Sequence, residues 1–182
     1  MSTIPLCSTA VWNSTSTIVA GSTSTAGSSS TLLYDPYDVA FDGYRNLYVV
    51  DYFNHRIQRF RPGSAIGTTV AGNSGSAGSG RSELYYPSAI SVTWNSVMYI
   101  YDYFNCRVFQ WQVGEPLGIV VVNGRGCGST LDRIGRGYGI FVDNQLNIYI
   151  SDYPYHRVTK WSNGNNTAGA LVNIFSKKKF FF

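Results

Sequence analysis

Residues 47–60 read LYVVDYFNHRIQRF, and the chain returns to this stretch as MYIYDYFNCRVFQW at 98–111 and IYISDYPYHRVTKW at 148–161. Asp51, Asp102 and Asp152 lie 51 and 50 residues apart, and Arg56, Arg107 and Arg157 keep the same spacing. Self-similarity at a fixed period marks stacked supersecondary units, and about 40 to 50 residues is typical of propeller blades. The residue types agree: β-branched, aromatic and turn-forming residues dominate, without long Ala/Glu/Lys/Leu stretches, which argues for an all-β protein.

Working outward, residues 37–42 (YDVAFD) predict a first strand, 43–46 a turn, 47–52 a second strand and 55–61 a third. Phe53-Asn54 is the tight turn between the last two, Pro62-Gly63 breaks the third, and 67–71 supply a fourth. Four short antiparallel strands make one twisted blade, with the first nearest the axis. The second unit predicts strands at 89–93, 96–101, 106–112 and 118–122, and the third at 139–142, 147–151, 156–162 and 168–174. Gly/Ser-rich connections fill 73–87 and 124–137.

The chain therefore divides into a Ser/Thr-rich segment at 1–31, blades at about 32–72, 73–124 and 125–174, and a basic-aromatic tail at 175–182. Within the first segment, Ile18-Val19-Ala20-Gly21 aligns with Thr69-Val70-Ala71-Gly72 and with Val121-Val122-Asn123-Gly124. It is expected to be the outer strand of a partial blade. The closing KKKFFF fits no unit and reads as a charged-aromatic tail or a gene-model artefact.

Composition narrows the function classes. A hydrophobic share of 44% over 182 residues supports a real core. Charged residues are 13%, about half the usual share. Three of the positive charges behind the net +4 are Lys177, Lys178 and Lys179, so the repeat body is almost balanced. The clustered basic face of a nucleic-acid binder is not visible there. Cys7, Cys106 and Cys127 are odd in number and lack CxxC spacing, so they read as buried or idle thiols rather than a disulfide framework or zinc finger. Sequons at Asn13 and Asn165 matter only in a secreted protein. No signal peptide or bilayer-length apolar run is seen. That slightly favours the cytoplasm, with an extracellular location open if the N-terminus is truncated.

Residues 36–60, PYDVAFDGYRNLYVVDYFNHRIQRF, closely resemble the NHL repeat. The first unit matches that pattern at Pro36, Val39, Ala40, Asp42, Gly43, Leu47, Tyr48, Val49, Asp51, Asn54, His55, Arg56 and Ile57. The second keeps Pro87, Tyr99, Asp102, Asn105 and Arg107, but places Cys106 where His is expected and Trp94 where Asp42 stood. The third keeps Asp143, Tyr149, Asp152, His156 and Arg157, with Tyr155 in place of Asn and no leading Pro. The resemblance spans roughly 18–174. It implies a six-bladed propeller, which at about 50 residues per blade needs about 300. Three whole units and part of a fourth then imply a fragment, or a half-ring that closes as a homodimer. It also implies a non-enzymatic scaffold that presents a loop face to a protein or peptide. RNA binding, as in relatives carried on ubiquitin-ligase chains, is the first alternative, and a remnant of a zinc-binding lyase the second.

Candidate residues fall into three sets. His55, Cys106 and His156 occupy equivalent positions and are ligand types zinc accepts, but equivalent points on neighbouring sheets lie roughly 10 Å apart. No metal and no cofactor are expected. Asp51/Arg56, Asp102/Arg107 and Asp152/Arg157 recur in every unit, which suits a charge-assisted hydrogen bond fixing each turn better than a singular catalytic group. Gly135 to Gly139 (GRGYG) resembles a phosphate loop but leads into a strand, so it offers no helix N-terminus to an anion. What remains is a loop face of Tyr52, Phe53, Tyr85, Tyr86, Tyr103, Phe104, Tyr153 and Tyr155 with Arg81, Arg125, Arg133 and Arg136. Tyr and Arg are enriched at interface hot spots, and aromatic platforms also stack single-stranded bases.

Overall fold

A computed structural model describes residues 13–73, 75–122, 125–164 and 168–171. Among them, three four-stranded antiparallel sheets follow one another along the chain. Blade 1 contains β1 (Pro36–Phe41), β2 (Leu47–Asp51), β3 (Arg56–Phe60) and β4 (Gly67–Gly72). Blade 2 contains β5 (Pro87–Val92), β6 (Val97–Asp102), β7 (Arg107–Gln112) and β8 (Ile119–Val122). Blade 3 contains β9 (Gly139–Val142), β10 (Ile148–Asp152), β11 (Arg157–Trp161) and β12 (Ala170–Leu171). The strands pair in sequence order within each sheet, and β5 packs between β1 and β9. Cys7, Asn165 and the KKKFFF tail lie outside the described residues. No described helix is long and apolar enough to cross a membrane.

Strand alternation gives each blade two faces, and the blades join forward face to back face. Tyr48, Val50 and Ile57 of blade 1 pack against Ile90, Met98, Ile100 and Trp111 of blade 2. Tyr99, Tyr101 and Val108 of blade 2 meet Ile148, Ile150 and Trp161 of blade 3 in the same way. Each joint is topped by one residue before it and one from the connecting loop: Ala71 with Leu84, then Val122 with Ile134. Ala20 and Leu33 sit likewise on Leu47, Val49 and Phe60, the back face of blade 1. Fully burying a side chain such as Ile100 contributes roughly 1.5 to 3 kcal/mol.

Register corrects the sequence alignment at two places. The backbone N–H of Asp42 donates to Asn46, that of Thr93 to Val97 and that of Asp143 to Asn147. Thr93, not Trp94, therefore stands where Asp42 does, and Trp94 takes the place of Gly43. Thr93 also performs the task, its Oγ1 accepting the Val97 N–H at 3.0 Å as Asp42 Oδ1 accepts that of Asn46 at 2.9 Å. In the outer strands, Thr69 opposes Gln58 and Val120 opposes Phe109, so Thr69 matches Val120 rather than Val121. Repeats of 51 and 50 residues permit this one-residue slip, and only the ladder decides it.

Candidate binding face

Each second strand ends in its aspartate, and the chain then makes a tight turn before reversing, a single 3-10 turn in blades 1 and 3 and a hydrogen-bonded turn closed by the Cys106 N–H on the Tyr103 carbonyl in blade 2. Tyr52–Asn54 form that turn in blade 1, and His55 leaves it in the left-handed region at φ 53° with its N–H on the Tyr52 carbonyl. Cys106 (φ 49°) and His156 (φ 51°) repeat the conformation. Two aromatic residues are thereby lifted out at the end of each hairpin: Tyr52 and Phe53, Tyr103 and Phe104, Tyr153 and Tyr155.

The Asp–Arg pairs hold more than this turn. Arg56 Nε donates to Asp51 Oδ2 at 2.7 Å, and Arg56 Nη1 and Nη2 donate to the carbonyls of Ser28, Ser29 and Leu32, 24 to 28 residues upstream. Asp51 Oδ1 accepts the Tyr34 N–H at 2.7 Å. Blade 2 repeats the pattern: Arg107 binds Asp102 at 2.7 Å and reaches Ser79, Gly80 and Glu83, while Tyr85 N–H donates to Asp102. In blade 3 Arg157 binds Asp152 at 2.8 Å and the carbonyls of Ser129, Thr130 and Arg133, and Gly135 N–H donates to Asp152. Asn54 and Asn105 add a bond from turn to loop, to the Gly27 and Gly78 carbonyls. Each ion pair is thus a clamp between a hairpin tip and the loop leading into its own blade, and it sets where the aromatic rings of both stand.

Those rings form one array across all three blades. Tyr52 stacks on Tyr37 at 4.1 Å between centroids and on Tyr86 at 4.8 Å, and stands edge-on to Tyr103 at 6.3 Å. Tyr103 lies 5.1 Å from Tyr138, whose hydroxyl donates to the Tyr103 hydroxyl at 3.1 Å. Tyr138 returns to Tyr37 at 6.1 Å and closes the circuit. Tyr37 and Tyr138 share one repeat position, and the small, buried Ser88 holds it in the middle blade. Around the circuit, Phe53 packs on Tyr34 at 4.8 Å, Tyr85 on Phe104 at 4.4 Å and Tyr153 on Tyr138 at 6.1 Å. Arg136 lays its guanidinium 4.0 Å above the Phe104 ring, a cation–π contact. Tyr37 and Tyr138 are each 45% exposed, so the array is a surface and not a core.

Burial and neighbouring groups favour the neutral forms of Tyr52, Tyr138 and His55. Burial, then the neighbouring Tyr37 and Tyr103 hydroxyls, push Tyr52 up to about 12, so it stays protonated. The hydrogen bond to Tyr103, with burial, raises Tyr138. Burial lowers His55, whose neutral Nδ1 accepts the Tyr86 N–H at 3.1 Å. That bond holds Tyr86 at φ 51°, an uncommon conformation for a bulky residue.

Eight of the sequence candidates therefore come together: Tyr52, Phe53, Tyr85, Tyr86, Tyr103, Phe104, Arg136 and Tyr153. Tyr155 lies beneath Arg157, at 5.3 Å. Arg81 Nε donates to the Gly118 carbonyl at 3.1 Å, beside the outer strand of blade 2. Arg125 lies 3.6 Å from Asp132, and Arg133 offers its carbonyl to Arg157. The residues not foreseen are Tyr37 and Tyr138, for which the signal is the aromatic residue recurring at the start of a first strand, and Tyr34, for which it is the loop tyrosine that recurs as Tyr85. Gly135 and Gly137 of GRGYG engage Asp152 and the Ser88 hydroxyl through their backbone.

The cysteine expectation is overturned. Cys106 and Cys127 form a disulfide, with Cα atoms 5.1 Å apart. The bridge ties the blade 2 hairpin tip to the loop entering blade 3, a proximity that 21 residues of sequence separation do not reveal. Of the three residues with metal-ligand character, Cys106 is thus consumed by the bridge and His55 Nδ1 by Tyr86.

No family model matches the chain, and no curated protein does. Solved structures match in fold. Virginiamycin B lyase from Staphylococcus aureus aligns at TM-score 0.50 and 12% identity over 78% of this chain and 42% of its own. A Bacteroides caccae protein of unknown function aligns at 0.51 and 9% identity, over 75% and 50%. An auxiliary nutrient binding protein from Bacteroides ovatus aligns at 0.50 and 18%, over 70% and 35%. The chain is an all-β assembly of propeller-like blades, and it spans half or less of the length of each of these neighbours.

Proposed function

We propose that the chain is a non-enzymatic scaffold of NHL type that binds a protein or peptide through its aromatic face. The observation that carries this reading is the continuous Tyr/Phe array contributed by all three blades, with Arg136 stacked on it. Rigid rings bring large contact areas at low entropic cost, since their neighbours and the Asp–Arg clamps already hold them. The hydroxyls of Tyr37, Tyr52 and Tyr138 supply hydrogen-bonding edges beside apolar faces. This combination suits backbone carbonyls and apolar side chains, with a carboxylate directed to Arg136.

RNA remains the alternative on the strength of stacking alone. The electrostatics favour the peptide: Arg81 is engaged by the Gly118 carbonyl and Arg125 by Asp132, and among the described residues Arg136 is the cation stacked on the rings, a small positive charge with which to follow a phosphate backbone. A lyase-type reading draws its support only from a neighbour's name.

The test is selection of peptides from a random phage-displayed library on the immobilised protein. Selected peptides should lose at least tenfold in affinity to the Tyr103→Ala and Arg136→Ala variants. Peptides that ignore both substitutions would overturn the reading. Oligo-uridine binding that falls steeply between about 50 and 200 mM salt would transfer the face to RNA.

A further inference from the structure

The two blade joints inside the chain have the same composition by position, and among the described residues blade 1 and blade 3 each present one half of such a joint with exposed apolar side chains. The half that blade 2 and blade 3 present backwards is Ile90, Val92, Met98 and Ile100, then Ile140, Val142, Ile148 and Ile150. Blade 1 presents Val39, Phe41, Leu47 and Val49 at the same positions. Its Phe41 is 62% exposed. The forward half, made by Tyr48, Val50 and Ile57 and then by Tyr99, Tyr101 and Val108, becomes Tyr149, Ser151 and Val158 in blade 3, with Phe141 beside them at 61% exposure.

The back face of blade 1 is already dressed as a joint. Ala20 and Leu33 occupy the places of Ala71 and Leu84, and Arg56 anchors the carbonyls of residues 28, 29 and 32. Beneath Ile18 and Val19 an open cavity of about 710 Å³ remains, walled by Phe41, Leu47, Phe60 and Pro62. Ile18 is in register with Thr69, which pairs with Gln58 of β3. By repeat spacing residues 17–21 fall at an outer-strand position, but against the sequence expectation they form no strand, and among the described residues no inner strands lie beside them to pair with. The equivalent of Gln58 in blade 3 is Thr159, now opposite Leu171 of β12.

The geometry points to a second copy of this chain as the occupant. Blade 3 of one copy seats its Phe141–Val158 face on the Val39–Phe41 face of the other. Residues 17–21 then lie along β11 of the partner subunit in place of β12, with Thr17 opposite Lys160 of the partner subunit. A two-fold axis repeats the joint, so two copies close a ring with no unpaired blade face, the arrangement that removes exposed edges. The aromatic faces of both copies then lie on the same side of one ring.

Light scattering on the 182-residue chain should give twice 20.1 kDa. A monomer at all concentrations, or open-ended polymers, would overturn the closed pair. Val39→Asp and Phe141→Asp replace exposed side chains, so each variant should keep its β-sheet circular dichroism and run as a monomer. Mixing the two leaves one joint intact, Phe141 of the first variant on Val39 of the second, and should restore a heterodimer. Failure to restore it would overturn head-to-tail pairing. A chain carrying Thr17→Cys with Lys160→Cys should form a covalent dimer under oxidation that neither single variant forms, and its absence would overturn the strand exchange.

Discussion

At the residue scale, the Asp–Arg clamps combine buried charge with many partners. The side chains of Asp102 and Arg107 are 0% and 10% exposed. Removing one partner of a buried pair costs about 3 to 5 kcal/mol, because the other charge is left without compensation. Asp102→Ala is expected to lose stability on that scale in denaturant unfolding, and an unchanged midpoint would show that the clamp carries no stability. His55 is the residue through which pH reaches the face. Burial depresses its pKa below 6.5, so the neutral form is stabilised by folding. That contribution is complete above pH 6.5 and is lost as pH falls through the depressed value. Protonation also removes the acceptor that holds Tyr86. Peptide affinity is expected to weaken as pH falls through that depressed value, and His55→Phe should flatten that dependence. The clamp residues were legible in sequence because they recur. Their partners were not, since a carbonyl at Ser28 or Gly80 leaves no side-chain signature.

At the element scale, hairpins and loops are stapled to one another differently in successive blades. The left-handed residue that ends each hairpin is the anchoring point: His55 by a hydrogen bond to Tyr86, and Cys106 by the bridge to Cys127. Closing a loop of 21 residues stabilises by about 3 kcal/mol in the chain-entropy account. Cys127→Ser should lower the melting temperature by roughly 6 to 12 °C for a chain of this size, and a reductant should do the same to the wild type alone. The first turn of blade 1 offers an acid-side counterpart. Burial works to raise the pKa of Asp42, but bonds from Asn46, Ser96 and Tyr48 outweigh it and leave the group more acidic than 3.8. Its stabilisation is therefore complete above that value and lost as pH falls through the lowered one. Asp42→Asn should be less stable at neutral pH and lose less on acidification, measured as unfolding midpoints from pH 7 to 3.

At the scale of the whole molecule, stability should be graded across the blades. β6 and β7 lie in the middle blade, flanked by joints on both sides, and their apolar residues are almost wholly buried. β12 pairs on one edge only and its residues are exposed. Amide exchange is expected to be slowest in β6 and fastest in β12, by several orders of magnitude. Uniform exchange would mean that the blades open as one unit. The same gradient keeps the aromatic face best ordered at its centre, where Tyr52, Tyr86 and Tyr103 meet.

By itself the sequence determined the repeat, the all-β class, the number of blades and nearly every strand, because period and alternation are local properties that each residue reports through its neighbours. It also marked most of the rings of the face, since hairpin tips fall at fixed repeat positions. Only the tertiary structure decided that Thr93 stands for Asp42, that Cys106 meets Cys127, that Arg81 reaches the Gly118 carbonyl, and that Tyr37 and Tyr138 meet across Ser88. Each of those facts joins residues from different loops or blades. Such distances are set by how sheets stack and twist, which no single stretch of chain encodes.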